Sequence, residues 1–138
     1  MKKSYFTLNE LTRSTTADKS NIDNSIPNLQ IESNLNYLIS KLNPIRELYG
    51  KPIYVNSGYR CEKLNKLVKG SSTSFHKKGL AVDLTTGSRE GNKQLFNLIR
   101  SKFQFDILID EQSFSWLHLQ YQPEYKKLDN RNLVLHYK

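Results

Sequence analysis

The chain is 138 residues long, 37% hydrophobic and 25% charged, with one cysteine and a formal charge of +8 from 21 basic and 13 acidic residues. This length suits a single domain, 1–138, with a core of its own; the lone Cys61 excludes an internal disulfide framework, and no run approaches the roughly 18–20 apolar residues of a membrane span. The charge predicts attraction to a polyanion (nucleic acid, an anionic membrane or an anionic cell wall), but the lysines are scattered and no nucleic-acid-binding motif accompanies them, so nucleic acid is not expected as a partner.

In chain order, "MKKSYFTLNELTRS" has two lysines with no apolar segment behind them, which predicts no cleaved signal peptide. Residues 7–13 suit a short helix, and "STTADKSNIDNSIPN" reads as a polar loop. Leu35, Leu38, Ile39, Leu42, Ile45 and Leu48 recur at helical spacing, predicting an amphipathic helix from about Pro27 to Tyr49. Ser25 and the first-turn proline should open it, Pro44 should kink or divide it, and Gly50 should end it. "KPIYVNSGYR" predicts a short strand entering a glycine turn, and "CEKLNKLV" a two-turn helix stopped at Gly70. "GLAVDLTT" alternates as a strand, and "SREGNKQLFNLIRSKF" is a second amphipathic helix with Leu95, Leu98 and Ile99 facing inward. "FDILIDE", "WLHLQY" and "NLVLHYK" are three further strands. Helices mostly precede strands without a βαβ rhythm, so the expected class is α+β: a small, mainly antiparallel sheet packed against helices.

Asp83 stands out because it lies in an apolar run, Leu80-Ala81-Val82 before it and Leu84 after. A carboxylate there is costly unless paired, hydrogen-bonded or metal-bound. Period two sets Ala81, Asp83 and Thr85 on one strand face, with Leu80, Val82 and Leu84 on the other. "SWLHLQY" behaves alike: Trp116, His118 and Gln120 share a face, opposite Leu117, Leu119 and Tyr121. If the two strands are neighbours, His76 in the loop before the first can complete a set of two imidazoles and one carboxylate. That set leaves a fourth coordination position open, as in catalytic rather than structural zinc sites. Read as ordinary structure, His76 is a solvated loop residue, His118 a core histidine and Asp83 a strand-end cap.

The stretches "SGYRCEKLN", "SSTSFHKKGLAVDL", "FDILIDE" and "SWLHLQY" together resemble the zinc D-Ala-D-Ala carboxypeptidase family of peptidoglycan peptidases. That family shares its fold with lysostaphin-type enzymes and the hedgehog signalling domain. Its Ser-x-His-x-x-Gly-x-Ala-x-Asp pattern is present as Ser74, His76, Gly79, Ala81 and Asp83, its late Trp-x-His as Trp116 and His118, and its upstream Ser-Gly-Tyr-Arg as Ser57 to Arg60. The likeness runs from about residue 5 to 121, and "YFTLNELTRSTTA" is similar to a small phage- or Bacteroides-associated branch.

The resemblance implies a hedgehog/DD-peptidase-like fold binding one zinc ion through His76, Asp83 and His118. It gives Arg60 the substrate carboxylate or the oxyanion of the scissile carbonyl, and sets Ser74 and Trp116 beside the substrate. Many relatives carry Glu three residues before the last histidine, where this chain has Ser115; the branch's Phe-Asp-Gln-Leu-Ile has Ile107 in place of glutamine. A general base is therefore sought at Asp110 or Glu111. Strand parity alone favours neither, and Glu111 is chosen for its longer arm and because the branch places an acid there. His136 reads as a strand-surface residue. The expected activity is hydrolysis of peptide bonds in peptidoglycan stem peptides or cross-links by a monomer. The missing leader then implies release through a membrane pore or another export route. The competing reading is a non-catalytic cell-wall-binding module on the same fold.

Overall fold

The computed structural model describes residues 3–138. Two short helices open the chain, α1 (Leu8–Thr12) and α2 (Thr15–Lys19), started by Thr7 and Ser14, whose hydroxyls accept from the backbone N–H three residues on. The second lies within the segment expected to be loop. Its serine cap and the buried Ala17 supply what polar composition concealed.

The long helix α3 (Leu29–Tyr49) begins two residues later than expected, because Asn28, not Ser25, caps it by accepting from the Ile31 N–H at 2.9 Å. Pro27 thus precedes the helix. Pro44 does not divide it: Leu38 and Leu42 before the proline and Ile45 after it are all buried, and that packing offsets the one missing backbone bond. Gly50 ends the helix in the left-handed conformation at φ 78°.

After β1 (Tyr54–Ser57) the chain passes Gly58 into α4 (Glu62–Leu67). A Cβ on Gly58 would stand 2.3 Å from the Leu11 carbonyl oxygen, so only glycine lets this turn close onto α1. A 3-10 turn (Phe75–Lys78) ends at Gly79, φ 73°, and leads into β2 (Ala81–Thr85). Helix α5 (Arg89–Lys102) follows, with Leu95, Phe96 and Ile99 buried and Leu98 at the margin. Strands β3 (Ile107–Glu111), β4 (Trp116–Gln120) and β5 (Leu133–Tyr137) complete the chain, the last two joined through a 3-10 segment, Glu124–Asp129.

The class is α+β, and the five strands lie in the order β1-β2-β4-β3-β5, antiparallel except for the parallel pair β3 and β5. Because residues opposite one another share a face, the register fixes two surfaces. Val82, Leu84, Leu108, Leu117 and Leu119, all fully buried, form the back face and join one core with side chains of α3 and α5. The front face carries Asp83 opposite His118, Ile109 opposite His118 from the other side, and Glu111 opposite both Trp116 and Tyr137. Among the described residues no helix is long and apolar enough to cross a membrane.

Candidate active site

The front face floors a cleft of about 750 Å³, walled on one side by Arg60, Lys69 and the 71–76 segment. At its centre His76, Asp83 and His118 converge, with one ligand atom from each lying within 4.8 Å of the others. Asp83 Oδ1 stands 3.2 Å from both His76 Nε2 and His118 Nδ1. Ligands about 2.0–2.2 Å from a tetrahedral zinc would be roughly 3.3–3.5 Å apart, so the triad has the size and donor chemistry of such a site.

The far side of each imidazole fixes which nitrogen faces inward. His76 Nδ1 lies 2.7 Å from the Gly58 carbonyl oxygen, which can only accept, so Nδ1 carries a proton and Nε2 is left for the centre. His118 Nε2 lies 2.7 Å from Gln120 Oε1. The orientation of that amide is set in turn by Asp106, whose carboxylate accepts from Gln120 Nε2 at 2.8 Å. Arg131 holds Asp106 by two bonds, Nε to Oδ1 at 2.9 Å and Nη2 to Oδ2 at 3.1 Å. The relay Arg131–Asp106–Gln120 thus leaves His118 Nδ1 pointing at Asp83.

Charge is distributed accordingly. Burial alone would raise the Asp83 carboxyl, but the His76 charge and hydrogen bonds to both imidazoles hold it well below the usual carboxylate range. Burial works against protonation of His118, yet the bond to Asp83 pushes its pKa up on balance. Asp83 is therefore an ionised donor, as metal binding requires.

Arg60 reaches the cleft from the turn after β1, where its N–H donates to the His76 carbonyl at 3.0 Å. Its Nε is buried without a hydrogen-bond partner, and among the described residues its guanidinium has no ion pair. Burial lowers its pKa, while Asp83 acts the other way. A guanidinium with free donors in a cleft is ready for an anion. Ser74 accepts from the His76 N–H at 3.1 Å and caps the ligand-bearing turn. Lys77 is committed to Glu62 and to the Ser72 carbonyl, and Lys78 lies over the Phe75 ring.

Of the two candidate acids, Glu111 lines the cleft and Asp110 does not. Asp110 belongs to the back-face row and bonds to His136. Glu111 has its pKa raised by burial and by the negative charges of Asp83 and Asp110, against the opposing effect of His118. Ser115 lies in the β3–β4 turn, where its hydroxyl donates to the Gln112 carbonyl and accepts from Arg89. That turn holds three successive non-glycine residues with positive φ: Gln112 at 46°, Ser113 at 56° and Phe114 at 65°. Left-handed backbone of this kind costs about 1–2 kcal/mol per residue. Arg89 Nε donating to Ser113 O, Asn92 Nδ2 donating to Phe114 O, and Phe114 packed edge-on against Phe96 hold it closed. Glu111 and Trp116 flank it and face each other across the strand pair.

Sequence reasoning did not assign roles to Gly58, Asp106, Gln120 and Arg131. A signal existed for Asp106, an acid inside the apolar run "FQFDIL", the same feature that singled out Asp83. No curated protein matches the chain. A family model described as Peptidase M15 matches residues 4–120, a span that includes His76, Asp83, His118, Arg60 and Glu111. The chain belongs to this Peptidase M15 family, whose members are zinc-dependent, D-Ala-D-Ala carboxypeptidase-like metallopeptidases.

Proposed function

We propose that this chain is a single-domain zinc peptidase that hydrolyses peptide bonds in the stem peptides or cross-links of bacterial peptidoglycan. The observation that carries the reading is one cleft in which three convergent ligand atoms lie between an unpaired guanidinium and a carboxylate. His76 Nε2, Asp83 Oδ1 and His118 Nδ1 would hold the ion. When bound, zinc supplies a Lewis acid that polarises a carbonyl and lowers the pKa of water towards ~7. Glu111 accepts the proton of the attacking water and delivers it to the leaving amine, a task helped by a pKa raised above the ordinary carboxylate value. Arg60 binds the substrate's carboxylate or the developing oxyanion, and Ser74 and Trp116 flank the peptide. The basic charge agrees with an anionic wall as the place of action, reached by pore-mediated release or another export route.

The test is digestion of purified peptidoglycan with and without a chelator, with products identified by mass spectrometry. The protein should carry one zinc per chain and release peptide fragments only when zinc is present. His118→Ala should lose most of the metal. Stoichiometric zinc in a His76→Ala, His118→Ala double variant would rule out the site as drawn, and zinc binding without hydrolysis would favour the wall-binding reading.

Arg60→Lys should keep zinc and the melting temperature but lose at least ~10-fold in rate, because an ammonium cannot reproduce the planar fork of donors. Unchanged turnover would remove Arg60 from the reaction.

A further inference from the structure

Among the described residues three buried side-chain atoms have no hydrogen-bond partner: Tyr37 Oη, Arg60 Nε and Asn65 Oδ1. The second and third belong to side chains that meet at Gly70. A Cβ there would stand 2.2 Å from Asn65 Oδ1 and 3.2 Å from Arg60 Nη1, so the space a side chain would take is shared by the amide oxygen and the guanidinium. Asn65 lies on α4 and is 1% exposed. Its Nδ2 donates to the Ser71 carbonyl at 2.8 Å. That carbonyl can only accept, so the amide cannot flip and Oδ1 has to face Gly70. A buried acceptor without a donor and a buried donor without an acceptor are each costly, and a bond between the two side chains relieves both.

We propose that Asn65 is the positioning residue for Arg60: its Oδ1 accepts from the guanidinium when an anion enters the cleft, and so turns the remaining donors of the fork towards that anion. The inference rests on the hydrolytic reading above, in which Arg60 takes the substrate carboxylate or the oxyanion. A guanidinium has several N–H donors in one plane, so one can be committed to the wall while others stay free for the ligand. A neutral amide suits the task because it fixes orientation without cancelling the positive charge, as a carboxylate at that position would. Gly70 keeps the gap open. Its backbone lies outside the left-handed region, so close approach rather than φ demands glycine there. The same amide also pins the cleft wall. Ser71 O accepts from the Ser74 N–H at 3.0 Å as well as from Asn65, and Ser74 caps the turn bearing His76. Support of that loop and orientation of Arg60 are separable, since only the second depends on which residue stands at position 60.

The test is a double-mutant cycle on the zinc-loaded protein. The probe is a phosphinate analogue of D-Ala-D-Ala, which carries a C-terminal carboxylate and a tetrahedral oxyanion together and is not hydrolysed. Trp116 is the only tryptophan and lines the cleft, so its fluorescence reads binding without turnover, and cleavage of acetyl-D-Ala-D-Ala is followed in parallel. Asn65→Ala should bind the phosphinate about 10-fold more weakly, the loss expected for one hydrogen bond to a charged group. Zinc content should be retained, because Ser71 O keeps its bond from Ser74. In the Arg60→Lys protein the same substitution should change affinity less than 2-fold, since an ammonium has no fork to orient. Equal losses in the two backgrounds would make Asn65 a loop residue only and overturn the proposal, as would full affinity in folded Asn65→Ala. If Asn65→Ala does not fold, Gly70→Ala keeps every polar group and sets a methyl against both partners; its loss should show the same dependence on Arg60, and independence overturns the proposal. Affinity unmoved by Arg60→Lys alone would remove Arg60 from the site and this inference with it. Coupled binding without cleavage of the peptide would instead sink the hydrolytic reading and leave the positioning role standing.

Discussion

Glu111→Gln should retain zinc and an unchanged melting profile while losing roughly 10²- to 10⁴-fold in rate, the range for removal of a general base. The expectation rests on which way the side chain faces. On β3 the period of two sends Glu111 into the cleft with Ile107 and Ile109, and sends Asp110 to the back, where it bonds to His136. The hydroxyl of Ser115 is taken up within its turn and has no useful basicity at neutral pH. Asp110→Asn should accordingly be far milder in rate and appear mainly as loosening of β5. Rates within about 3-fold of the unmodified protein for Glu111→Gln would place the base elsewhere. A severe loss in Asp110→Asn alone would exchange the two roles.

Asp106→Asn should weaken zinc binding by about 10- to 100-fold, as removal of a group that orients a metal ligand does, and lower stability by about 2 kcal/mol. Asp106 is fully buried and accepts from both Gln120 and Arg131. Asparagine replaces one of the two acceptor oxygens with a donor NH2 and removes the charge that pairs with Arg131, so the bonds that fix the Gln120 amide are weakened and it can turn to present its nitrogen to His118. Burial raises the Asp106 pKa, but the bonds from Arg131 and Gln120 outweigh it and the net shift is downward. A depressed carboxylate contributes stability that is fully present above its unfolded value, near 4, and is lost as pH falls through the lower folded value. The gap in melting temperature between the unmodified protein and Asp106→Asn should therefore be widest near neutrality and shrink in acid. Zinc affinity unaffected by the substitution would show that His118 holds its orientation without the relay.

Much of this arrangement is legible in the sequence because alternation is a local property. The shared faces of Asp83 with Ala81 and of His118 with Gln120 follow from period two alone, and the structure places those faces side by side. What is not legible locally is adjacency. That β2 pairs with β4, or that β5 returns parallel to β3, depends on how the helices cover the back face. Parity becomes decisive for Glu111 only once that pairing exists, since the same alternation leaves either acid free to face the metal. Gln120 was visible as a neighbour of His118 but not as its hydrogen-bond partner, because the partner that turns its amide, Asp106, is 14 residues away, just before β3. Helix boundaries failed for a smaller reason. Asn28, Ser25 and Ser14 are all competent caps by composition, and only packing chooses among them.

The middle place of β4 in the five-strand order has a bearing on motion. β2 and β4 each have a neighbour on both sides, so an amide there is released only when a paired strand parts, and such openings are the rarest in a sheet. His118 and Asp83 thus ride on the part of the molecule that fluctuates least, while β5 borders solvent and Arg60 stands in a turn. Chemistry that tolerates little displacement is kept at the rigid centre, and recognition by Arg60 is assigned to a turn that can yield.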